Sequence, residues 1–466
     1  MAVRFSDDQV IKATGARRVQ AGPRVSYPAV CTDTRALTPG CLFVALSGEN
    51  FDAHDFLAAA ASGGASGAVV KAGRKLPALP ADFALFEVAD TLHGLGALAR
   101  YHRFRFKIPV GAITGSNGKT TTKEMVAAIL ETRGPALKTA GNLNNEVGVP
   151  LTLFGLGPAH VAAVIEMGMS NPGEIGRLTE MVQPDAGLIT VVQPAHLHGL
   201  GSVEGVAAAK GELFRGLKAG ATGVVNLDDA RVTAQAMQSG AKLLSYGRSS
   251  HAEVRLKSVE SLGRAGLDLT LVFMDSEHRV RLGFVGEHNA MNAAGAFAMG
   301  LALGFRPEEC VAGLSAAKPY SRRLNLVDAQ GGFTVLDDCY NANPSSMAAA
   351  LETLQGLARA AGGRAVAVLG DMLELGADEA KEHRALAEKA GASAVLAAFF
   401  GPRSAASAEA SGLGAAAAHF TEVEPLVAWL RPQLSAKDVV LVKASRGMKL
   451  ERVVEALTGA KGEGAH

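Results

Sequence analysis

Residues 111–120 read Gly-Ala-Ile-Thr-Gly-Ser-Asn-Gly-Lys-Thr. A β-rich run over 108–114 leads into a turn of small residues, and a helix-compatible segment follows over 121–132. Backbone N–H groups turned into such a loop, beside the positive end of a helix, form a seat for phosphate oxygens. Gly115, Ser116, Asn117 and Gly118 supply the turn, Lys119 reaches the terminal phosphates, and the Thr120 hydroxyl, with Thr121 beside it, suits Mg2+. The loop departs from the pattern G-x-x-x-x-G-K-[ST], because Ile113 stands where the first glycine belongs. Gly115 comes two residues later and gives a shorter G-x-x-G-K-T. A Gly-rich turn with a solvated lysine is the competing reading. The order strand, loop, lysine, helix favours phosphate.

The elements that must place this loop fall into three blocks: residues 1–88, 89–322 and 323–466. At 466 residues, a prior of ~150 residues per domain gives about three domains. The first block holds short strands with turn-rich spacers. In the second, helical patterns alternate with strands near 108–114, 161–166, 187–192 and 223–227, and the alternation resumes in the third near 334–336, 365–369, 394–399 and 439–442. This predicts an α/β chain of three domains. A central P-loop-type, mainly parallel sheet carries helices on both faces, a smaller Rossmann-like α/β domain follows it, and a small α/β domain precedes it. Residues 404–418, rich in Ala, Gly and Ser, read as a helix and loops within the last domain. Ligands of open α/β sheets gather at the carboxyl ends of strands. Glu166, His196, Asn226, Asp228, Asp337 and Asp338 all fall at such ends.

Bulk composition excludes several classes. Lys+Arg 46 against Asp+Glu 45 leaves a net charge of +1, so no global field favours nucleic acid or an anionic membrane. The basic run 102–107 reads as the polar end of a helix rather than a nucleic-acid patch. Four cysteines without C-x-x-C spacing argue against a zinc site or disulfide framework. Asp7-Asp8 and the lack of an apolar core near the start do not fit a signal peptide. Apolar runs such as 394–400 are too short to span a bilayer, and a cytoplasmic location follows as the expectation.

Further segments carry chemistry: Gly-Asn-Leu-Asn-Asn-Glu-Val-Gly at 141–148, Glu-Met-Gly-Met-Ser-Asn-Pro-Gly-Glu at 166–174, and Ala-Lys-Gly-Glu-Leu-Phe at 209–214. Gly-Glu-His-Asn-Ala-Met-Asn at 286–292, Asp-Asp-Cys-Tyr-Asn-Ala-Asn-Pro at 337–344, Leu-Gly-Asp-Met-Leu-Glu-Leu-Gly at 369–376 and Val-Lys-Ala-Ser-Arg-Gly at 442–447 follow. In this order they resemble the Mur ligases of peptidoglycan synthesis over nearly the whole chain. The Asn-Leu-Asn-Asn-Glu-Val-Gly and Tyr-Asn-Ala-Asn-Pro segments are most similar to the branch that adds a terminal dipeptide. Ala444, where that family usually has glycine, and His198 are departures.

The resemblance implies ATP-driven amide formation in the cytoplasm by a monomer with two Mg2+ ions. The implied substrates are UDP-N-acetylmuramoyl-tripeptide and D-alanyl-D-alanine. Catalytic roles would fall to Lys119, Glu166, His196 and Lys210, and metal ligation to Thr120, Glu166, His196 and Lys210. Lys210 on its own reads as a solvated lysine of an amphipathic helix over 203–217; the resemblance makes it a carbamylated lysine. Asn289 and Asn292, alternatively helix-capping residues, match the adenine-contacting segment. Arg323 matches a phosphate-facing arginine, and Asp338 an acidic residue at the ribose. Thr34, Arg35, Ser47, Asn50, Asp52 and His54 would face uridine and diphosphate. Asn144, Asn145, Ser170 and Arg177 would face the muramoyl peptide, and Asn341, Asn343, Ser445 and Arg446 the dipeptide. Rival readings are another ligase of the superfamily, adding the third stem residue or extending folate with glutamate, and a nucleotide switch without ligase activity.

Overall fold

The strand Val110–Thr114 is buried along its whole length, as are Ala162–Glu166, Ala186–Ile189 and Thr222–Asn226. Strands covered on both faces lose the in–out alternation of a half-exposed sheet, which is why the sequence shows continuous apolar runs here. The computed structural model describes residues 4–22, 26–48, 51–194 and 197–459. Asn50 and His196 lie outside the described residues.

These strands belong to a nine-stranded sheet. Its order runs Ser276–Leu282, Leu267–Phe273, Val254–Ser261, Lys242–Gly247, Thr222–Asn226, Ala186–Ile189, Val110–Thr114, Ala162–Glu166, Ala136–Lys138. Seven strands from Val254–Ser261 to Ala136–Lys138 run parallel, and the last two join antiparallel. The sequence pattern did not anticipate that antiparallel meander. After Val110–Thr114 the chain crosses to the edge strand Ala136–Lys138, steps back to Ala162–Glu166, and then builds outward on the other side from Ala186–Ile189. The crevice created there receives the loop 115–118.

Lys119–Leu130, His288–Ala302 and Pro307–Ala316 cover one face of the sheet through Met125, Ile129, Phe297 and Leu314. Thr91–Arg103, Gly148–Phe154, Glu174–Val182 and Val203–Arg215 cover the other. Thr91–Arg103 also reaches the amino-terminal core through Leu95 and Leu98. The run 102–107 does begin at the end of this helix, with Arg105 and Lys107 exposed, but the double burial takes its first two residues out of water. His102 and Arg103 are buried, with His102 Nε2 3.0 Å from the Leu156 carbonyl and Arg103 donating to the Phe106 carbonyl at 2.8 Å.

The amino-terminal sheet has five strands, in the order Arg17–Gln20, Ala84–Val88, Gly67–Lys71, Leu42–Val44, Val30–Cys31, with only the first antiparallel. The last sheet has six, in the order Asn325–Asp328, Thr334–Asp337, Val439–Lys443, Ala365–Gly370, Leu396–Phe400, Ala417–Phe420, again antiparallel only at its first strand. Among the described residues no helix is long and apolar enough to cross a membrane.

Candidate active site

The loop after Val110–Thr114 is shaped by two glycines that nothing else replaces. Gly115 has φ +149°, and a Cβ there would sit 1.8 Å from Thr190 Oγ1. Gly118 has φ +80°, and a Cβ there would meet Asn292 Oδ1 at 2.4 Å. With Gly118 taking the left-handed conformation, the helix begins at Lys119, two residues before the predicted start, and Thr122 N–H closes its first turn on the Gly118 carbonyl at 2.8 Å. Ser116 and Asn117 are held by the next strand's extension: Ser116 N–H donates to the Val191 carbonyl (2.8 Å), Ser116 Oγ to the Gln193 carbonyl (2.8 Å), and Thr190 Oγ1 to the Asn117 carbonyl (2.5 Å).

Lys119 folds back, its Nζ donating to the Gly115 carbonyl at 2.9 Å. Desolvation draws its ammonium pKa below the ordinary lysine value; the Glu166 carboxylate opposes that shift and the Arg323 guanidinium adds to it. Glu166 ends the neighbouring strand and is 2 % exposed. Its Oε1 accepts from Asn144 Nδ2 at 2.9 Å, and its Oε2 is buried with no hydrogen-bond partner among the described residues. A buried carboxylate oxygen left unpaired beside a phosphate-type loop needs a cation. Glu166 and the buried Thr120 hydroxyl are oxygen donors of the kind a hard divalent ion takes, so they fit Mg2+.

A third residue fixes Glu166. Past the end of Ala136–Lys138 the main-chain ladder runs out, and Thr139 continues it: its N–H donates to the Val164 carbonyl (3.3 Å), and its Oγ1 accepts from Glu166 N–H (2.9 Å). The Thr139 carbonyl accepts from Nζ of Lys123, a fully buried lysine paired with Glu124 at 2.8 Å. Neither Thr139 nor Lys123 was singled out in the sequence, since each looks like an ordinary strand-end or helix residue.

Lys210 overturns the reading as a solvated charge. It projects from Val203–Arg215 into the interior and is 2 % exposed. Desolvation, reinforced by the Lys119 ammonium, holds its amine well below the usual lysine range. Among the described residues an ammonium here finds little to compensate its lost hydration, which favours the neutral amine.

Across the cleft, residues of the third block reach the loop. Arg323 Nη2 donates to Thr120 Oγ1 at 3.2 Å, and its guanidinium lies 4.2 Å from the Tyr340 ring centroid. Arg446 stacks on the same ring at 5.2 Å. Arg322 and Leu324, on either side of Arg323, have φ of +61° and +52°, so the turn that presents this arginine holds two side chains in the left-handed region. Asp338 accepts from Lys443 Nζ at 2.5 Å and from Leu324 N–H at 3.3 Å, so it anchors that same turn.

Asn117, Gly118, Thr121, Asn289, Asn292, Arg323 and Asp338 line one cavity of about 550 Å³ between the central and last sheets. His288, Gln193, Ser345 and Lys443 line it too and were not assigned from sequence, although each lies in or near a segment already notable there. Asn289 does not cap its helix: its Nδ2 donates to the Val285 carbonyl (2.7 Å), and its Oδ1 accepts from Asn292 Nδ2 (2.9 Å). Asn343 joins the loop through Asn117, while Ser445 is buried beneath, donating to the Ala342 carbonyl (3.4 Å) and accepting from Leu373 N–H (2.9 Å). Asn341 is exposed, and its carbonyl accepts from Lys443.

On the central sheet's other margin, Arg177 pairs with Glu146, Asn145 Oδ1 accepts from Val147 and Gly148 N–H, and Ser170 N–H donates to Glu174. The amino-terminal candidates form a separate group outside the cavity. Arg35 is exposed and paired with Asp33, and Thr34 opens the short turn Thr34–Ala36. Ser47 Oγ donates to Asp52 at 2.9 Å, and Asp52 also pairs with Arg74. Buried His54 holds its Nδ1 2.6 Å from Asp52 while Nε2 accepts from Lys71 N–H at 2.9 Å. Desolvation lowers the His54 pKa, consistent with a neutral ring that braces this loop.

Comparison with known proteins agrees with this arrangement. Residues 113–300 match the Mur ligase middle domain, and residues 322–446 match the Mur ligase, glutamate ligase domain. The chain is 38% identical over 441 residues to the UDP-N-acetylmuramoyl-tripeptide–D-alanyl-D-alanine ligase of Escherichia coli, covering 94% of this chain and 95% of that one. A crystal structure of MurF from Acinetobacter baumannii superposes with a TM-score of 0.89 at 33% identity, covering 98% of this chain and all (100%) of that one. MurF ligase from Thermotoga maritima, solved in complex with ADP, gives 0.80 at 27% identity, with 92% and 96% covered. Matched by these two domain models and by near-full-length relatives of the same fold, the chain belongs to the Mur ligase family.

Proposed function

We propose that this chain is an ATP-dependent ligase that joins D-alanyl-D-alanine to the terminal carboxyl of UDP-N-acetylmuramoyl-tripeptide. The products are UDP-N-acetylmuramoyl-pentapeptide, ADP and phosphate. The observation that carries the choice of acceptor and amine is the similarity, over 94% of the chain, to the E. coli ligase named for that pair. The site's chemistry supports it. A carboxylate resists amines because its charge repels them and oxide is a hopeless leaving group. Phosphorylation by ATP converts it to an acyl phosphate, which the dipeptide amine attacks with phosphate departing. Bringing triphosphate and carboxylate together demands concentrated positive charge, and Lys119, Arg323 and Lys443 converge on this cleft.

In this reading Lys119 and the N–H groups of 115–120 hold the β- and γ-phosphates. Asn289, Asn292 and Asp338 orient the nucleoside, and Arg323 steadies the phosphates from the third block. Thr120 and Glu166 would hold one Mg2+, and His196 with Lys210, carbamylated to an anionic oxygen ligand, a second. Bound Mg2+ supplies charge neutralisation between the phosphates and the acceptor carboxylate. Residues 1–88 would hold the UDP-sugar peptide, 89–322 the nucleotide, and 323–466 would close on both and admit the dipeptide. The test is ADP release with UDP-N-acetylmuramoyl-tripeptide, D-alanyl-D-alanine and ATP together, and then with each omitted. Turnover that persists without the muramoyl tripeptide would exclude this reaction.

A further inference from the structure

Among the described residues, the nucleotide loop hydrogen-bonds the start of the last sheet's first helix through the Asn117 side chain. Asn117 Nδ2 faces three oxygens: Gln193 Oε1 at 2.6 Å, Ser345 Oγ at 3.0 Å and Asn343 Oδ1 at 3.2 Å. Asn343 answers with its own Nδ2, donating to Asn117 Oδ1 at 2.8 Å. Ser345 Oγ donates to Gln193 Oε1 at 2.8 Å and closes the ring. The same Asn343 caps Pro344–Ala361, its Oδ1 accepting from Ser346 N–H at 2.9 Å. The first two turns of that 18-residue helix, through Ser345, Ser346, Ala349 and Ala350, form a wall of the 550 Å³ cavity.

The loop does not need this side chain for its own shape. Glycines at 115 and 118 set the turn, and the Asn117 main chain is already held by Thr190. A primary amide, with donors and an acceptor in one plane, makes the reciprocal pair that a hydroxyl at this position cannot. We propose that Asn117 is a positioning residue: its amide pair with Asn343, supported by Ser345 and Gln193, latches the third block onto the phosphate loop. The helix wall of the nucleotide cavity is then in place when nucleotide binds. This rests on the nucleotide reading above and adds to it a residue that sets how firmly the cleft is held.

The experiment measures ADP binding in the presence of Mg2+ by calorimetry on the full chain, for wild type, Asn117→Ala, Asn343→Ser and the double variant. Serine keeps the helix cap but is too short for the pair. Each single variant is expected to weaken ADP about five- to thirtyfold, the effect of losing one or two net hydrogen bonds. The double variant is expected to be no weaker than either single. In turnover, KM for ATP rises in the same range and by more than kcat falls. Unchanged affinity, or losses that multiply in the double variant, would overturn the latch. Should Asn343→Ser fold poorly, Asn117→Ala still decides by the KM and kcat split. ADP binding does not depend on which amide is made. A wild type that binds ADP without joining the dipeptide would therefore refute the assigned reaction and leave the latch standing.

Discussion

Thr139→Val is the sharpest perturbation of the metal-side geometry. Thr139 is 1 % exposed, and its hydroxyl is the acceptor for Glu166 N–H at 2.9 Å. Valine has nearly the same shape but offers no acceptor, so a buried N–H is left unpaired at the base of the Glu166 side chain. Leaving such a donor unsatisfied costs about 1–3 kcal/mol. At 1.4 kcal/mol per factor of ten, local opening of this strand end should become about 5- to 150-fold more frequent. A chain of several domains does not unfold in one step, so a global melting curve would blur the effect. Hydrogen exchange of peptides spanning 160–170 reads it directly, and protection of the Glu166 amide should fall by that factor. The Mg2+ concentration needed for half-maximal ADP release should rise, because the carboxylate loses its fixed mount. Thr139→Ser, which keeps the hydroxyl, should restore most of both. If exchange and Mg2+ dependence in Thr139→Val match wild type, the ladder extension does not hold Glu166 and the reasoning fails.

Lys119→Ala should abolish ADP release while circular dichroism stays that of the wild type; retained turnover would move the nucleotide elsewhere. Gly118→Ala places a side chain at φ +80° and a Cβ 2.4 Å from Asn292 Oδ1, so ATP use should fall sharply. Adding Asn292→Ala should recover only part of it, because backbone strain of order 1–3 kcal/mol remains. Lys210 carries a depressed amine pKa through burial and Lys119, so the neutral form that the proposed carbamylation requires persists nearer neutrality. Acidification through that pKa protonates the amine, and activity should fall on the acid side and recover in part with added bicarbonate. Gentle native mass spectrometry should find the added CO2 in wild type and lose it in Lys210→Ala; a bare amine in CO2-replete buffer would refute the modification.

Much of this cleft was legible because its parts have local causes. A strand, small residues, a lysine and a helix in sequence announce a phosphate loop, and the polar ends of apolar runs announce the rim of a parallel sheet. Asp338 was among those polar strand ends, Asn289, Asn292 and Arg323 were reached through the family resemblance alone, and all four meet at one cavity. What stayed hidden depends on distant neighbours. Lys210 sits in a helix whose sequence fits a solvated face, and only the packed chain shows that face turned inward. Thr139 and Lys123 act through a strand pairing that a single sequence does not disclose. The meander 254–282 was missed because it extends a parallel sheet with antiparallel strands, and an alternation pattern carries no sign of strand direction. The burial of His102 and Arg103 was not legible either, because a helix shared by two cores buries charged residues that would cap an isolated one.

The crowding around the phosphate loop also limits how this enzyme can diverge. Positive φ, with Thr190 and Asn292 close by, strains any side chain at 115 and 118, and the next two positions are claimed by chemistry, so change costs least at 116 and 117. Ser116 is spoken for by the adjoining strand end, which leaves 117 as the position whose side chain can change without loosening the turn itself, at the cost of the latch. A lineage could retune its appetite for ATP by a single codon there, without touching a group that meets the reacting atoms.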